Sequence, residues 1–142
     1  MTLVLYSKCG CRIGFPQKKS GSNSKNWKGF GEIPHGLWWD ISNKAKTRNL
    51  IFEISIEEAW ALFLKQGRKC ALSGIDLVFK SPDIKKTASL NRIDSSKGYT
   101  LDNIQWVHKR VNLMKMSLSQ EEFIYFCNKI SKTQEKKNEN NV

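Results

Sequence analysis

Apolar positions along the chain fall into blocks with two different periods, and these blocks predict a mixed helix and strand protein. After Pro34, residues Trp38, Ile41 and Ala45 share one helical face, with Lys44, Lys46 and Arg48 largely off it as a basic outer side. A second helix is predicted from Ser55. Its hydroxyl can accept an orphan amide while Glu58 reaches back to the cap. Ile56, Ala59, Trp60, Phe63 and Leu64 form its inward stripe, with Gly67 as the stop. Aromatic residues on such a stripe read as core rather than as platforms for bases.

The period then shortens. Cys70 to Gly74 reads as a turn, Ile75 to Phe79 as a short strand, and Pro82 to Lys86 as a loop. Thr87 to Ile93 alternates as a strand, Asp94 to Gly98 is dense in turn formers, and Ile104 to Val107 is the returning strand. A helix follows from Lys109 to Met116. The last helix is capped by Ser119 with Glu122 completing the box, and it should bury Phe123, Cys127 and Ile130. Residues 132–142 are polar and charged and are expected to be disordered. Residues 1–33 read as a basic, partly flexible arm, with Lys18, Lys19 and Lys25 set among Gly and Ser. That leaves one domain over 34–131, with no internal repeat. His35 reads as a surface or helix-start residue.

Charge changes this picture most. The 142 residues carry 24 Lys plus Arg against 13 Asp plus Glu, a formal net charge of +11, which points to a polyanionic partner. The hydrophobic fraction of 39% allows a modest core. No window approaches the roughly 18 apolar residues of a membrane span. The apolar opening, Met1 to Tyr6, is too short for a secretory signal, so a cytoplasmic protein is expected. Cys9 and Cys11 are too close to bridge comfortably, while Cys70 and Cys127 sit in apolar surroundings, so reduced thiols are expected.

Polar residues gather at the seams of the strand, turn, strand and helix over 87–116. Asn91 and Arg92 end the first strand, Tyr99 follows the turn glycine, His108 opens the helix and Asn112 lies one turn in. A hairpin packed on a helix can bring Asn91 and Asn112 together.

The run Ser89-Leu-Asn-Arg-Ile-Asp-Ser-Ser-Lys-Gly-Tyr99, then Asn103-Ile-Gln-Trp-Val-His-Lys109 and Asn112-Leu-Met-Lys115, resembles the HNH nucleases, especially small phage-type members. Weaker likeness extends over about 34–130. The resemblance implies an α+β fold with a ββα-metal core, flanking helices and a bacterial or phage origin. It implies metal ligands at Asn91 and Asn112, and at Asn103 an asparagine that ties the inter-strand loop to its backbone. Arg92 stands where most members have a histidine base. A rare-cutting restriction branch also has arginine there and uses a tyrosine beyond the turn, which here is Tyr99.

The activity so implied is hydrolysis of DNA phosphodiesters, at selected sites as in restriction or homing enzymes, with Mg²⁺ or Mn²⁺ as Lewis acid. Arg92 would contact the scissile phosphate. Tyr99 or His108 would orient or deprotonate water, with precedent on the side of Tyr99 and ordinary pKa on that of His108. Lys18, Lys19, Lys25, Lys44, Lys46, Arg48, Lys97, Lys109, Arg110 and Lys115 are the candidate contacts to double-stranded DNA. A single ββα site cuts one strand, so double-strand cutting would need a homodimer or two visits.

The family has aspartate where this chain has Asn91. A neutral amide oxygen is a weaker ligand, so catalysis should be impaired. A deliberately silenced variant and a natural member with lost or altered catalysis both fit, and the otherwise intact motif favours the first. A catalytically silent DNA-binding module is the alternative function, and an RNA-directed protein a third. Zinc is not expected: Lys8-Cys-Gly-Cys11 resembles half of a structural site, but a second cysteine pair is absent.

Overall fold

The computed structural model describes residues 29–79 and 87–139. The elements run β1 (Gly29–Phe30), β2 (Ile33–Pro34), α1 (His35–Thr47), α2 (Ile56–Lys65), β3 (Ala88–Arg92), a short 3₁₀ turn (Leu101–Asn103), β4 (Ile104–His108), α3 (Lys109–Lys115) and α4 (Gln120–Glu139). The architecture is α+β, with a ββα unit made of β3, β4 and α3 and helices around it. β3 and β4 pair antiparallel, with Leu90 opposite Trp106 and Asn91 opposite Gln105. Because side chains alternate, Leu90 and Trp106 share one face of the hairpin while Ser89, Asn91 and Gln105 share the other.

The Trp106 face carries the core. Phe63, Phe79 and Trp106 meet as an aromatic cluster, with ring centroids 4.6 Å apart for Phe63 and Phe79 and 4.9 Å for Phe79 and Trp106, the latter edge to face. Trp106 is fully buried, and its indole N–H donates to the Ala59 carbonyl of α2 at 2.7 Å. Gln66, just past α2, clamps the same residue by its backbone. Its Oε1 accepts from Trp106 N and its Nε2 donates to Trp106 O, both at 2.9 Å. A side-chain amide thus does for the outer edge of β4 what a third strand would do.

Local rules hold at both capping boxes. Ser55 and Glu58 exchange bonds at 3.1 and 2.8 Å, and Ser119 and Glu122 do so at 3.2 and 3.1 Å. On α1, Ala45 is buried, and Trp38 and Ile41 pack against the core.

Other expectations need correction. Ile75–Phe79 is not a strand. Its inward residues Leu77 and Phe79 are buried, but its pairing stops at one isolated antiparallel bridge, Lys69 with Asp76, and Val78 N turns to the Thr87 hydroxyl, so no ladder extends. Leu64 is 46% exposed, and Leu62 packs against the core instead. In α4 only Phe123 is buried: Cys127 is half-buried and Ile130 is 62% exposed. The helix continues to Glu139, across most of the stretch expected to be disordered.

The end of the expected arm also folds. Gly29–Phe30 pairs with Ile33–Pro34, and Ile33 is buried in the core. Gly31, at φ +56°, lies flat against Trp60; a Cβ there would fall 2.4 Å from the indole. Residues 1–28, with Lys18, Lys19, Lys25 and the Cys9 and Cys11 pair, lie outside the described residues. So does the whole of the expected Pro82–Lys86 loop.

Candidate active site

The second face of the hairpin carries the polar residues, and α3 lies across it. Asn91 Nδ2 donates to Asn112 Oδ1 at 2.7 Å, and Asn112 Nδ2 donates to the Ser89 hydroxyl at 2.8 Å. From the other side, Gln105 Nε2 donates to Asn91 Oδ1 at 3.1 Å and to Gln120 Oε1 of α4 at 2.9 Å. The polarity of this chain is self-consistent. Turning Asn91 over would set its NH₂ against the Gln105 NH₂ and its oxygen against the Asn112 oxygen. Asn91 and Gln105 are both buried, and among the described residues no buried side-chain polar atom lacks a partner.

Arg92 follows Asn91 at the end of β3. Its Nη1 donates to the carbonyls of Ser95 and Lys97, at 2.8 and 2.6 Å, and its guanidinium lies 5.5 Å from the Tyr99 ring centroid. These bonds fix the guanidinium through one nitrogen, so Nη2 and Nε remain to meet an anion. Asn103 holds the same loop. Its Oδ1 accepts from Asp94 N at 2.9 Å, and its Nδ2 donates to the carbonyls of Asp94 and Gly98 at 3.1 and 2.9 Å.

Tyr99 is positioned by a segment far upstream. Its N–H donates to Ile51 O at 2.8 Å, its carbonyl accepts from Glu53 N at 2.9 Å, and its ring packs on Phe52. Gly98 makes this approach possible: a Cβ there would sit 2.5 Å from the Ile51 oxygen.

Asn91, Arg92, Tyr99 and Asn112 line one cavity of about 140 Å³ together with Arg48, Leu90, Ser95 and Met116. It adjoins a wider groove of about 590 Å³ where Arg48, Arg92 and Lys109 come together, with no carboxylate among the lining residues of either. Lys44 lines a neighbouring recess together with Asp40. His108 is not brought in. It caps α3, its Nδ1 accepting from Arg110 N at 3.2 Å, and it sits three strand positions from Asn91 on the opposite hairpin face.

The expectation for Lys115 is corrected: it is fully buried and cannot face a DNA backbone. Its ammonium donates to the carbonyls of Ile93 and Arg92 at 3.3 and 3.5 Å. Burial, helped by the nearby Arg92 charge and opposed by Asp94, holds its pKa below the usual lysine value. Lys46, Lys97, Lys109 and Arg110 are exposed. Gln105, Gln120 and Ser89 were not among the expected site residues; strand parity with Asn91 is the signal that would have found Gln105.

A hard divalent cation is not matched by this donor set as it stands. Mg²⁺ takes charged or uncommitted oxygens. The two amide oxygens here are neutral, each already accepts a hydrogen bond, and the surrounding charges are cationic. Among the described residues, no group of three or more His, Cys, Asp or Glu converges that could hold a metal.

These elements define a ββα fold of the HNH endonuclease kind. A solved structure of the rare-cutting HNH restriction endonuclease PacI, studied for its perturbation of DNA, superposes at a TM-score of 0.52 with 17% identity, covering 96% of this chain and 99% of that chain. No protein-family model and no curated protein matches the sequence. Among the described residues, no helix is long and apolar enough to cross a membrane.

Proposed function

We propose that this chain engages duplex DNA at an HNH-type endonuclease site whose hydrolytic step is impaired by Asn91. One observation carries the reading: Arg92, Tyr99, Asn91 and Asn112 line a single cavity that opens into a groove bearing only cationic charge. A phosphodiester seated there would meet the open edge of Arg92, whose planar fork suits two phosphate oxygens. Arg48 and Lys109 would hold flanking phosphates, and the Tyr99 hydroxyl is the group at hand to orient a water. In the family's aspartate-bearing form, Mg²⁺ or Mn²⁺ supplies Lewis-acid charge at the leaving oxygen. No step through a metal is assigned to the present chain.

The alternative, a DNA-binding module with no latent catalysis, is favoured by the closed Asn91–Asn112 amide pair. Plasmid nicking in Mg²⁺ separates the two. Under the leading reading, Asn91→Asp gains metal-stimulated nicking, and Arg92→Ala added to it removes that gain. A folded Asn91→Asp protein that binds DNA and never nicks it leaves the binding module as the answer. Wild-type binding to duplex DNA should weaken steeply with salt, and Arg92→Ala should lower the log–log salt slope by about 1. A duplex and an RNA of equal length, in competition, test the choice of nucleic acid.

A further inference from the structure

We propose that the hydrogen bond from Asn91 to Asn112 stands in for the divalent ion, so that this site is a metal-independent phosphate clamp whose polarity is set by Gln105. The inference rests on the DNA reading above and adds how the site is held together without a cation.

Two ligands that share an ion repel one another when the ion is missing, because oxygen faces oxygen. Here the contact is complementary instead: an N–H of Asn91 meets the Asn112 oxygen at 2.7 Å. Asn91 cannot turn its own oxygen into the cavity without losing the bond from Gln105, itself buried and tied to Gln120. Asn112 is tied to the Ser89 hydroxyl, which can donate or accept, so its orientation follows that of Asn91 and hence of Gln105. The five side chains, Gln120, Gln105, Asn91, Asn112 and Ser89, form a directed relay joining α4, both strands and α3. An ion entering between Asn91 and Asn112 would have to break that relay at two points and would gain no anionic ligand. Cations already present supply what an anion needs: Arg92 and Arg48 line the cavity, and Lys115 lies buried behind Arg92.

The test pairs metal binding with DNA binding on the full chain. Free Mn²⁺ is followed by electron paramagnetic resonance, and affinity for a fluorescent duplex is measured at matched ionic strength in EDTA and in Mg²⁺. Wild-type protein is expected to leave the Mn²⁺ signal unchanged up to about 1 mM, and its duplex affinity should agree between EDTA and Mg²⁺ within about twofold. Asn91→Asp should take up one Mn²⁺ per chain. In EDTA it should bind the duplex about fivefold more weakly than wild type, because its carboxylate then faces the phosphate, and Mn²⁺ should restore the loss. Asn112→Asp supplies the same charge from α3 while still accepting from Asn91, and should also take up Mn²⁺ if Asn91→Asp proves unstable. Stoichiometric, sub-millimolar Mn²⁺ binding by the wild type, abolished by Asn112→Ala, overturns the inference and leaves the DNA reading standing. Absence of duplex binding by a folded wild type overturns the DNA reading and the clamp with it, whatever Mn²⁺ does.

Discussion

Replacing Asn103 with alanine removes three hydrogen bonds at one stroke, and the structure lets the cost be worked out. Asn103 is buried, and its amide both accepts from Asp94 N and donates to the Asp94 and Gly98 carbonyls. Each such bond contributes about 1 kcal/mol net, so the loss should come to about 2–3 kcal/mol. In a domain of this size that corresponds to a fall in Tm of about 8–12 °C, read by circular dichroism. The site should suffer as well. Arg92 rests on the carbonyls of Ser95 and Lys97, inside the loop that Asn103 holds. At a temperature where Asn103→Ala is still folded, its duplex affinity should therefore fall about tenfold, the order expected for a misplaced charged anchor. Asn103→Asp keeps the acceptor for Asp94 N but sets a buried carboxylate oxygen against the Asp94 and Gly98 carbonyls, so at neutral pH it should be no more stable than Asn103→Ala. A Tm within 2 °C of wild type would refute the tie, and unchanged DNA affinity with a lowered Tm would refute the claim that this loop aims Arg92.

Other consequences follow from single residues. Lys115 titrates below the usual lysine value because it is buried, so between its folded and unfolded pKa the unfolded chain binds more protons, and stability rises with pH there. The stability of wild type relative to Lys115→Met, by urea melts, should therefore grow from pH 8 to pH 10; a flat difference rejects it. Asp94 is held below the usual carboxylate value by the Ser96 hydroxyl and amide, with Lys97 adding to it. Its contribution is present above the unfolded pKa and is lost as pH falls through the folded one, so Asp94→Asn should flatten the stability profile below about pH 4. Gly98→Ala would drive a methyl into the Ile51 carbonyl and should destabilise by about 2 kcal/mol or more. A neutral result in thermal melts would mean that the Ile51 segment yields.

The parts of this protein legible in sequence are those written in short-range code. Alternation located β3 and β4, the Asp94–Gly98 cluster located the turn, and two Ser-x-x-Glu boxes located helix starts, because each depends on neighbours within a few residues. Ile75–Phe79 misled because alternation reports burial, and Leu77 and Phe79 are indeed buried, but a strand also needs a free edge beside it. Leu64 and Ile130 misled for the converse reason: periodicity marks a face but not whether anything covers it. The meeting of Asn91 with Asn112 could be expected from the ββα layout, whereas the direction of the hydrogen bond could not, since the two ends of an amide have the same shape. From its residue type alone, Lys115 reads as a surface cation. Only the return of α3 over the end of β3, where two carbonyls need donors, explains its burial.

The Ile51–Glu53 segment that braces Tyr99 lies almost fifty residues ahead of it, and the Gln66 clamp on β4 is set 40 residues before Trp106. Such distant closures are slow to form and are made only when the chain collapses as a whole. On the DNA reading proposed above, the pocket is therefore expected to be competent only once these distant closures are made. A protease nick between residues 51 and 66 should disarm the molecule as surely as a change in the pocket, while leaving every pocket residue intact.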